Sequence, residues 1–257
     1  MRLATWNVNS LNVRLPRVEE WIGYAHPDVL CLQETKLADT AFPGFAFEAL
    51  GYQSVHHGSG RWNGVAILSR LPITDVIYGF CEGLEADRDA RLVSATCGNV
   101  RVSSVYVPNG RSLGSEHYAY KLSWLERLRR HLDATADPAA PVAVCGDFNV
   151  APEDRDVWDP ARFVGSTHVS EPERAAVAHL EAWGLQDAFR LRHQEDRLYT
   201  YWDYRAGDFH QHRGMRIDLV LVTEPMAEKV TYALVDRFAR KGKLPSDHAP
   251  LLVDFED

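Results

Sequence analysis

The sequence predicts an α/β fold, and three observations lead there. Short continuous apolar runs of strand length, such as Val29-Leu30-Cys31-Leu32 and Pro141-Val142-Ala143-Val144-Cys145, read as strands buried on both faces. Between some of these runs the apolar residues recur with helical spacing. Several apolar runs also stop at a carboxylate, an amide or a histidine. Gly146-Asp147-Phe148-Asn149-Val150-Ala151-Pro152 is the densest such stretch. The 257 residues contain no low-complexity linker, Gly/Ser run or repeat, so residues 1–257 are expected to form a single domain. A hydrophobic share of 46% is enough for a large core.

In chain order, residues 2–8 read as a first strand with Asn7 near its end. Val18, Trp21 and Ile22 give residues 13–24 a helical spacing, with Pro16 in the first turn and His26-Pro27 as the stop. The run 29–32 is a second strand, and Glu34 follows it at once. Residues 52–107 look all-β, with strands over 64–68, 73–78, 92–96 and 100–107 divided by Gly, Pro, Asn or Asp. Tyr106 and Asn109 close that block. Residues 116–132 form an amphipathic helix with Leu122, Leu125, Leu128 and Leu132 in its stripe. Lys121, Arg127, Arg129 and Arg130 lie largely off the stripe and read as a solvated face. Residues 152–169 look irregular. A helix over 172–183 then opens on Pro172 and ends at Gly184. Residues 217–222 form a strand with Asp218 at its entry, and Ser246-Asp247-His248-Ala249-Pro250 leads into the last strand at 251–255.

Charge and composition narrow the function classes. A net charge of −8 argues against a protein that coats nucleic acid nonspecifically, but it leaves room for a local basic groove. Cys31, Cys81, Cys97 and Cys145 show no C-x-x-C spacing, and Cys31 and Cys145 lie inside apolar runs, which suits a reducing compartment. There is no signal-peptide layout and no apolar run of membrane-spanning length, so a soluble cytoplasmic protein is expected. The pairs His56-His57 and His210/His212 have no Cys or third His at finger spacing, and zinc is not expected. Residues 199–216 interleave Tyr199, Tyr201, Trp202, Tyr204 and Phe209 with Arg205, His210, His212, Arg213 and Arg216. Rings can stack on bases and arginines can grip phosphates, although some of these rings must pack on the core instead.

Asn7, Glu34, Tyr106, Asp147, Asn149, Asp218, Asp247 and His248 all fall at strand ends, spread so widely that only a fold could gather them. Asp147 and Asn149 share a face if extended, although Gly, Asp, Asn and Pro also make an ordinary turn. Gathered, three or four carboxylates, two amides and a histidine have the composition of a site that binds Mg²⁺ or Mn²⁺ and breaks a phosphate ester. A carboxylate or His can take the proton from attacking water. No GxxxxGK[ST] loop and no G-x-S-x-G elbow is present, so nucleotide-driven transfer and serine acyl chemistry have no support.

Trp6-Asn7-Val8-Asn9-Ser10-Leu11, Leu32-Gln33-Glu34-Thr35-Lys36, residues 146–152, Arg216-Ile217-Asp218 and Ser246-Asp247-His248-Ala249-Pro250 resemble, in order, the motifs of the endonuclease/exonuclease/phosphatase superfamily. The match is nearest to its exonuclease III branch, the bacterial AP endonucleases, through Gln33-Glu34-Thr35-Lys36, Trp202-Asp203-Tyr204-Arg205 and Arg213-Gly214-Met215-Arg216-Ile217-Asp218. The resemblance implies a four-layer α/β sandwich, with two mixed sheets face to face and helices outside. It implies Mg²⁺- or Mn²⁺-dependent cleavage of duplex DNA 5′ to abasic sites, trimming of blocked 3′ ends and 3′→5′ exonuclease action, by a monomer. Carried over by motif, Glu34 is the main metal ligand, with Asn7, Asp147, Asn149, Asp247 and His248 also in or near the ligand set. Asp147 orients or deprotonates the water, and Asn149 helps place it. His248 bonds the scissile phosphate, Asp218 orients His248, and Tyr106 contacts the phosphate or assists the leaving oxygen. Asn109 and Arg111 touch the DNA backbone, and Trp202 and Met215 line or wedge the abasic pocket. Lys36, Arg61, Arg111, Arg205, Arg213 and Arg216 are expected to form a basic strip.

Two departures from the family pattern stand out: Ser10 replaces the usual Gly, and Met215 replaces other wedges. Two rival readings are a sibling phosphodiesterase acting on RNA or small phosphoesters, and a DNA-binding protein that has lost the chemistry. The first lacks any membrane-contact segment for a lipid substrate. The second should have lost one of Glu34, Asp147, Asp218 or His248, and all four are present.

Overall fold

The computed structural model describes residues 1–81, 83–84 and 87–256. One sheet is built from β1 (Arg2–Asn7), β2 (Val29–Gln33), β3 (Gln53–His57) and β4 (Val65–Ser69). The other takes β5 (Ile73–Tyr78), β6 (Leu92–Cys97), β7 (Val100–Tyr106), β8 (Val142–Asp147), β9 (Leu185–Asp187) and β10 (Asp218–Thr223). The chain then returns to the first sheet with β11 (Val230–Val235) and β12 (Leu251–Phe255). The strand orders are β11-β12-β1-β2-β4-β3 and β5-β6-β7-β8-β10-β9. Each sheet is mixed, with one parallel pair, β1 with β2 and β7 with β8. A parallel pair needs a long crossover. Helix α1 (Leu11–Ala25) supplies the first, and α3 (Glu116–Thr135), following the short α2 (Gly44–Glu48), supplies the second. Three more helices follow, α4 (Pro160–Phe163), α5 (Glu171–Glu181) and α6 (Glu224–Ala227).

Alternating residues of the buried strands serve different cores. Leu3, Cys31, Val65 and Ile67 meet Val93, Ala95, Val102, Ala143, Cys145 and Val220 between the sheets. Their neighbours Ala4, Trp6, Leu30, Leu32, Ala66 and Leu68 face outward and are covered by Val18, Trp21 and Ile22 of α1. On the other side Val142, Val144, Leu219 and Leu221 are covered by Trp124, Leu125 and Leu128 of α3 and Val177 and Leu180 of α5. This two-sided burial gives the four-layer α/β sandwich, and it is why these strands read as unbroken apolar runs.

The structure departs from the sequence reading in several places. Pro16 lies in the second turn of α1, and the carbonyl it leaves unbonded belongs to exposed Asn12. Lys121 and Arg127 do not face solvent but are buried. Their stems lie along the apolar face of α3 and their heads find partners inside, Lys121 at Glu173, and Arg127 at Asp87 and over the Phe80 ring. The edge strand β11 was not anticipated, because Thr231, Tyr232 and Leu234 are exposed and break the apolar run.

The topology brings the polar strand ends together. Parallel pairing puts the C-terminal ends of β7 and β8 side by side, with Tyr106 opposite Asp147. Antiparallel β10 begins there, so Asp218 is also opposite Asp147. In the first sheet Asn7 is opposite Gln33, and the chain enters antiparallel β12 from His248 at the same end. Gly146 lets β8 approach β7 closely, since a Cβ there would lie 1.9 Å from the Val105 carbonyl oxygen. Gly146→Ala is therefore expected to destabilise the fold by about 3 kcal/mol, because backbone of a central strand would have to move. Thermal melting should fall by roughly 6–12 °C.

Candidate active site

Asn7 is the hinge of the site. Its Nδ2 donates to Glu34 Oε1 (2.9 Å) and to Asp147 Oδ2 (2.9 Å), and its Oδ1 accepts from the Asn9 N–H (3.0 Å). Its nitrogen, not its oxygen, faces the two carboxylates. The residue orders the carboxylates that would hold a metal.

Glu34 follows β2 with φ 51°, a turn that sends its side chain back over the strand ends. Its Oε2 pairs with Lys36 Nζ at 2.9 Å. Burial opposes the Glu34 charge, but Lys36 and the Asn7 amide outweigh it and hold the carboxyl below its usual range. Asp147, at the end of β8, accepts the Asn149 N–H on Oδ1 (2.9 Å). Burial, with Asp218 and Glu34 nearby, pushes its pKa up to about 7 against the pull of His248.

His248 stands across from Asp147, with Nε2 3.8 Å from Asp147 Oδ2, and its Nδ1 is bonded to Asp218 Oδ2 at 2.8 Å. Burial alone would lower the imidazole pKa. Asp218 and Asp147 reverse that and raise it to about 10, which favours the protonated ring. The Tyr106 phenol is held neutral by burial and by the charges of Glu34 and Asp147. Asp247 is half-exposed and accepts from Asn9 Nδ2 (3.1 Å). Asn149 is tied by Nδ2 to the Val107 carbonyl (3.0 Å) and by Oδ1 to Asn109 Nδ2 (3.2 Å). Asn109 and Arg111 are exposed beside it.

The aromatic loop is knitted into this end of the molecule by its backbone. Thr200 Oγ1 accepts the N–H groups of Ile217 and Asp218 (3.1 Å each), and the Thr200 carbonyl accepts the Ala249 N–H (2.7 Å). Tyr201 pairs with Met215 and with His248, and its ring centre lies 4.9 Å from that of His248. Trp202 is wholly buried against Tyr199 and Phe209. The expectation that Trp202 lines a pocket is therefore corrected. The aromatic beside the histidine is Tyr201, and alternation along an extended segment puts Trp202 on the other side. Met215 is 8% exposed. Arg205 reaches solvent, and Arg213 is half-exposed near Asp208. Arg216 does not belong to a surface strip. It is buried between Asp156 (Nε to Oδ1, 2.7 Å) and Asp187 (Nη1 to Oδ2, 2.6 Å).

The donor set suits a hard divalent cation. Asp147, Asp218 and His248 offer ligand atoms within 4.8 Å of one another, and Asp218 Oδ1 is buried without a hydrogen-bond partner. Asp218 Oδ2 and His248 Nδ1 are already committed to each other, whereas Glu34 and Asp147 converge on Asn7 with further oxygen lone pairs available.

Comparison with known proteins agrees with this geometry. The model of the endonuclease/exonuclease/phosphatase family matches residues 4–248. The chain belongs to this family. Exodeoxyribonuclease III of Haemophilus influenzae is 32% identical over 268 residues, covering 100% of both proteins. A solved AP endonuclease from Archaeoglobus fulgidus superposes with a TM-score of 0.97 at 39% identity, and a Neisseria 3′ phosphatase bound to a product DNA hairpin does so with 0.96 at 39%, each over 100% of both chains. As a member of this family, with relatives of these kinds, the protein is a nuclease.

The His248–Asp218 pair gives a direct test. The folded-state pKa of His248 lies above its ordinary 6.5, so the stabilisation from the pair is complete below about pH 6.5 and is lost as pH rises through about 10. In metal-free protein the His248 ring resonances should stay in the protonated form from pH 5 to about pH 8 by NMR. In Asp218→Asn the midpoint should move down by more than one unit. An unshifted midpoint would show that Asp218 does not hold the proton there.

Proposed function

We propose that the protein hydrolyses phosphate esters in damaged duplex DNA, cutting 5′ to abasic sites and freeing blocked 3′ ends, with Mg²⁺ or Mn²⁺ as cofactor. The observation that carries this reading is the placement of Asp147 between two fixed amides, with His248 Nε2 3.8 Å away across from it. A carboxylate and an imidazole are thereby held side by side, where both can act on one phosphate group.

Glu34 and Asp147 are the residues to hold the metal, with Asp247 at the open side. When bound, the ion offsets charge on the phosphoryl oxygens. Asp147 takes the proton of the attacking water as its oxygen bonds to phosphorus. Asn149 fixes the Asp147 carboxylate through its N–H and helps place the water. His248 donates from Nε2 to a phosphoryl oxygen, and Asp218 keeps the ring protonated and oriented. As the phosphorus–oxygen bond breaks, the neutral Tyr106 hydroxyl is available to protonate the leaving oxygen. Asn109 and Arg111 bind the backbone next to it, and Tyr201 and Met215 receive the extruded sugar. A position with no base loses little stacking on leaving the helix.

The deciding experiment incubates the protein with an intact duplex, a nicked duplex, a duplex with one abasic analogue and a duplex with a 3′ phosphate at a nick, with Mg²⁺ and with EDTA. Metal-dependent incision 5′ to the lesion is the expected result, together with release of the 3′ phosphate. Action on 3′ ends alone would remove the abasic assignment. No action on any of the four would move the assignment to RNA or small phosphoesters. Asp147→Asn should lower turnover by about 10²- to 10⁴-fold with DNA binding retained. Glu34→Ala should raise the metal concentration needed for half-maximal rate, and an unchanged requirement would exclude Glu34 from the ligand set. Reversing the charges of Arg205 and Arg213 should weaken binding and flatten its salt dependence by about two phosphate contacts, measured by fluorescence anisotropy at several salt concentrations.

A further inference from the structure

Among the described residues Lys121 is the one lysine that is buried completely, and a buried ammonium is costly unless it is paired. Its Nζ donates to three acceptors from three separate segments. They are the Asn149 carbonyl (2.6 Å), at the end of β8, the Asn109 carbonyl (3.3 Å), in the loop after β7, and Glu173 Oε1 (2.5 Å), in the first turn of α5. Glu173 is held in turn by the Ser170 N–H (3.1 Å) and hydroxyl (2.5 Å) in the capping box of α5, by the His168 N–H (3.0 Å) and by the Thr167 hydroxyl (2.7 Å). That hydroxyl also lies 3.1 Å from the Asn109 carbonyl. His168 closes the ring through its Nδ1, which meets the Asn149 carbonyl at 2.5 Å.

Stability alone does not account for this pair, because a buried ion pair can usually be replaced by apolar groups at little loss. What an apolar pair cannot do is hold two carbonyls. Asn149 has φ 51° and Arg111 has φ 56°, so both loops follow irregular backbone that no sheet ladder fixes. We propose that Lys121 and Glu173 are positioning residues. Together they lock the loop that carries Asn149 to the loop that carries Asn109 and Arg111, setting the distance between the water-placing side and the backbone-gripping side of the site. The catalytic consequence rests on the function proposed above. The coupling of the two loops does not.

The test pairs an activity-independent measurement with kinetics. In Lys121→Met/Glu173→Gln, which removes both charges, hydrogen exchange of the Arg111, Asn149 and Ala151 amides should rise together by at least tenfold, with exchange in β1 unchanged. Turnover at saturating DNA should fall by at least 30-fold. Lys121→Arg should recover it to within about fivefold, a rescue that loss of stability would not produce. Exchange that rises in one loop only, or everywhere, overturns the coupling. Coupled exchange with wild-type turnover overturns the positioning role. If the wild-type protein cleaves no DNA, the function proposed above fails while the exchange experiment still decides the coupling. Should the double variant not fold, Thr167→Val decides. A joint rise in exchange of at least threefold at those amides supports the lock, and unchanged exchange overturns it.

Discussion

The site depends on one electrostatic constraint. Glu34, Asp147 and Asp218 are brought to the same buried end of the sandwich, where like charges repel and water is scarce. Two positive groups and one amide keep that arrangement tolerable. Lys36 pairs with Glu34, His248 pairs with Asp218, and Asn7 bridges Glu34 and Asp147. Asp147 is buried between Asp218 and Glu34, and burial with those two charges raises its pKa against the pull of His248.

Rigidity comes from the way the strands end. Each carboxylate sits at the end or the start of a strand that is buried on both faces, which fixes its Cα. The last few degrees of freedom are removed by hydrogen bonds to neighbouring backbone, as in Asp147 with the Asn149 N–H. Three segments far apart in sequence are joined by single contacts of this kind. The Thr200 hydroxyl receives the N–H of Asp218, and the Thr200 carbonyl receives the N–H of Ala249, next to His248. The aromatic loop is therefore part of the scaffold for the histidine–aspartate pair as well as a surface beside it.

Much of this was legible in the sequence, and the parts that were not share a physical reason. Strands buried on both faces announce themselves as apolar runs, so β2, β8 and β10 and the polar residues beyond them could be found directly. Periodicity reports which way a side chain leaves the backbone, not what waits for it. Lys121 and Arg127 leave α3 beside its apolar stripe, and nothing local says that Glu173 and Asp87 lie there to receive them. Arg216 was misplaced for the same reason, since its two carboxylate partners are 60 and 29 residues away in the chain. The choice between Tyr201 and Trp202 turned on register, and only the bridge to Met215 and His248 shows which of two adjacent rings faces the site.

The charge balance of the whole chain fits the same picture. A protein of net charge −8 is not drawn to undamaged DNA by bulk attraction, and the loss of Arg216 to the interior reduces the basic surface further. Arg61, Arg111 and Arg205 remain exposed, near loops that border the site. On the function proposed above, weak general attraction with a few placed cations leaves more of the binding energy to come from the lesion or the strand end itself. Such energy is available only where the duplex is already broken or unstacked, which would spare sound DNA.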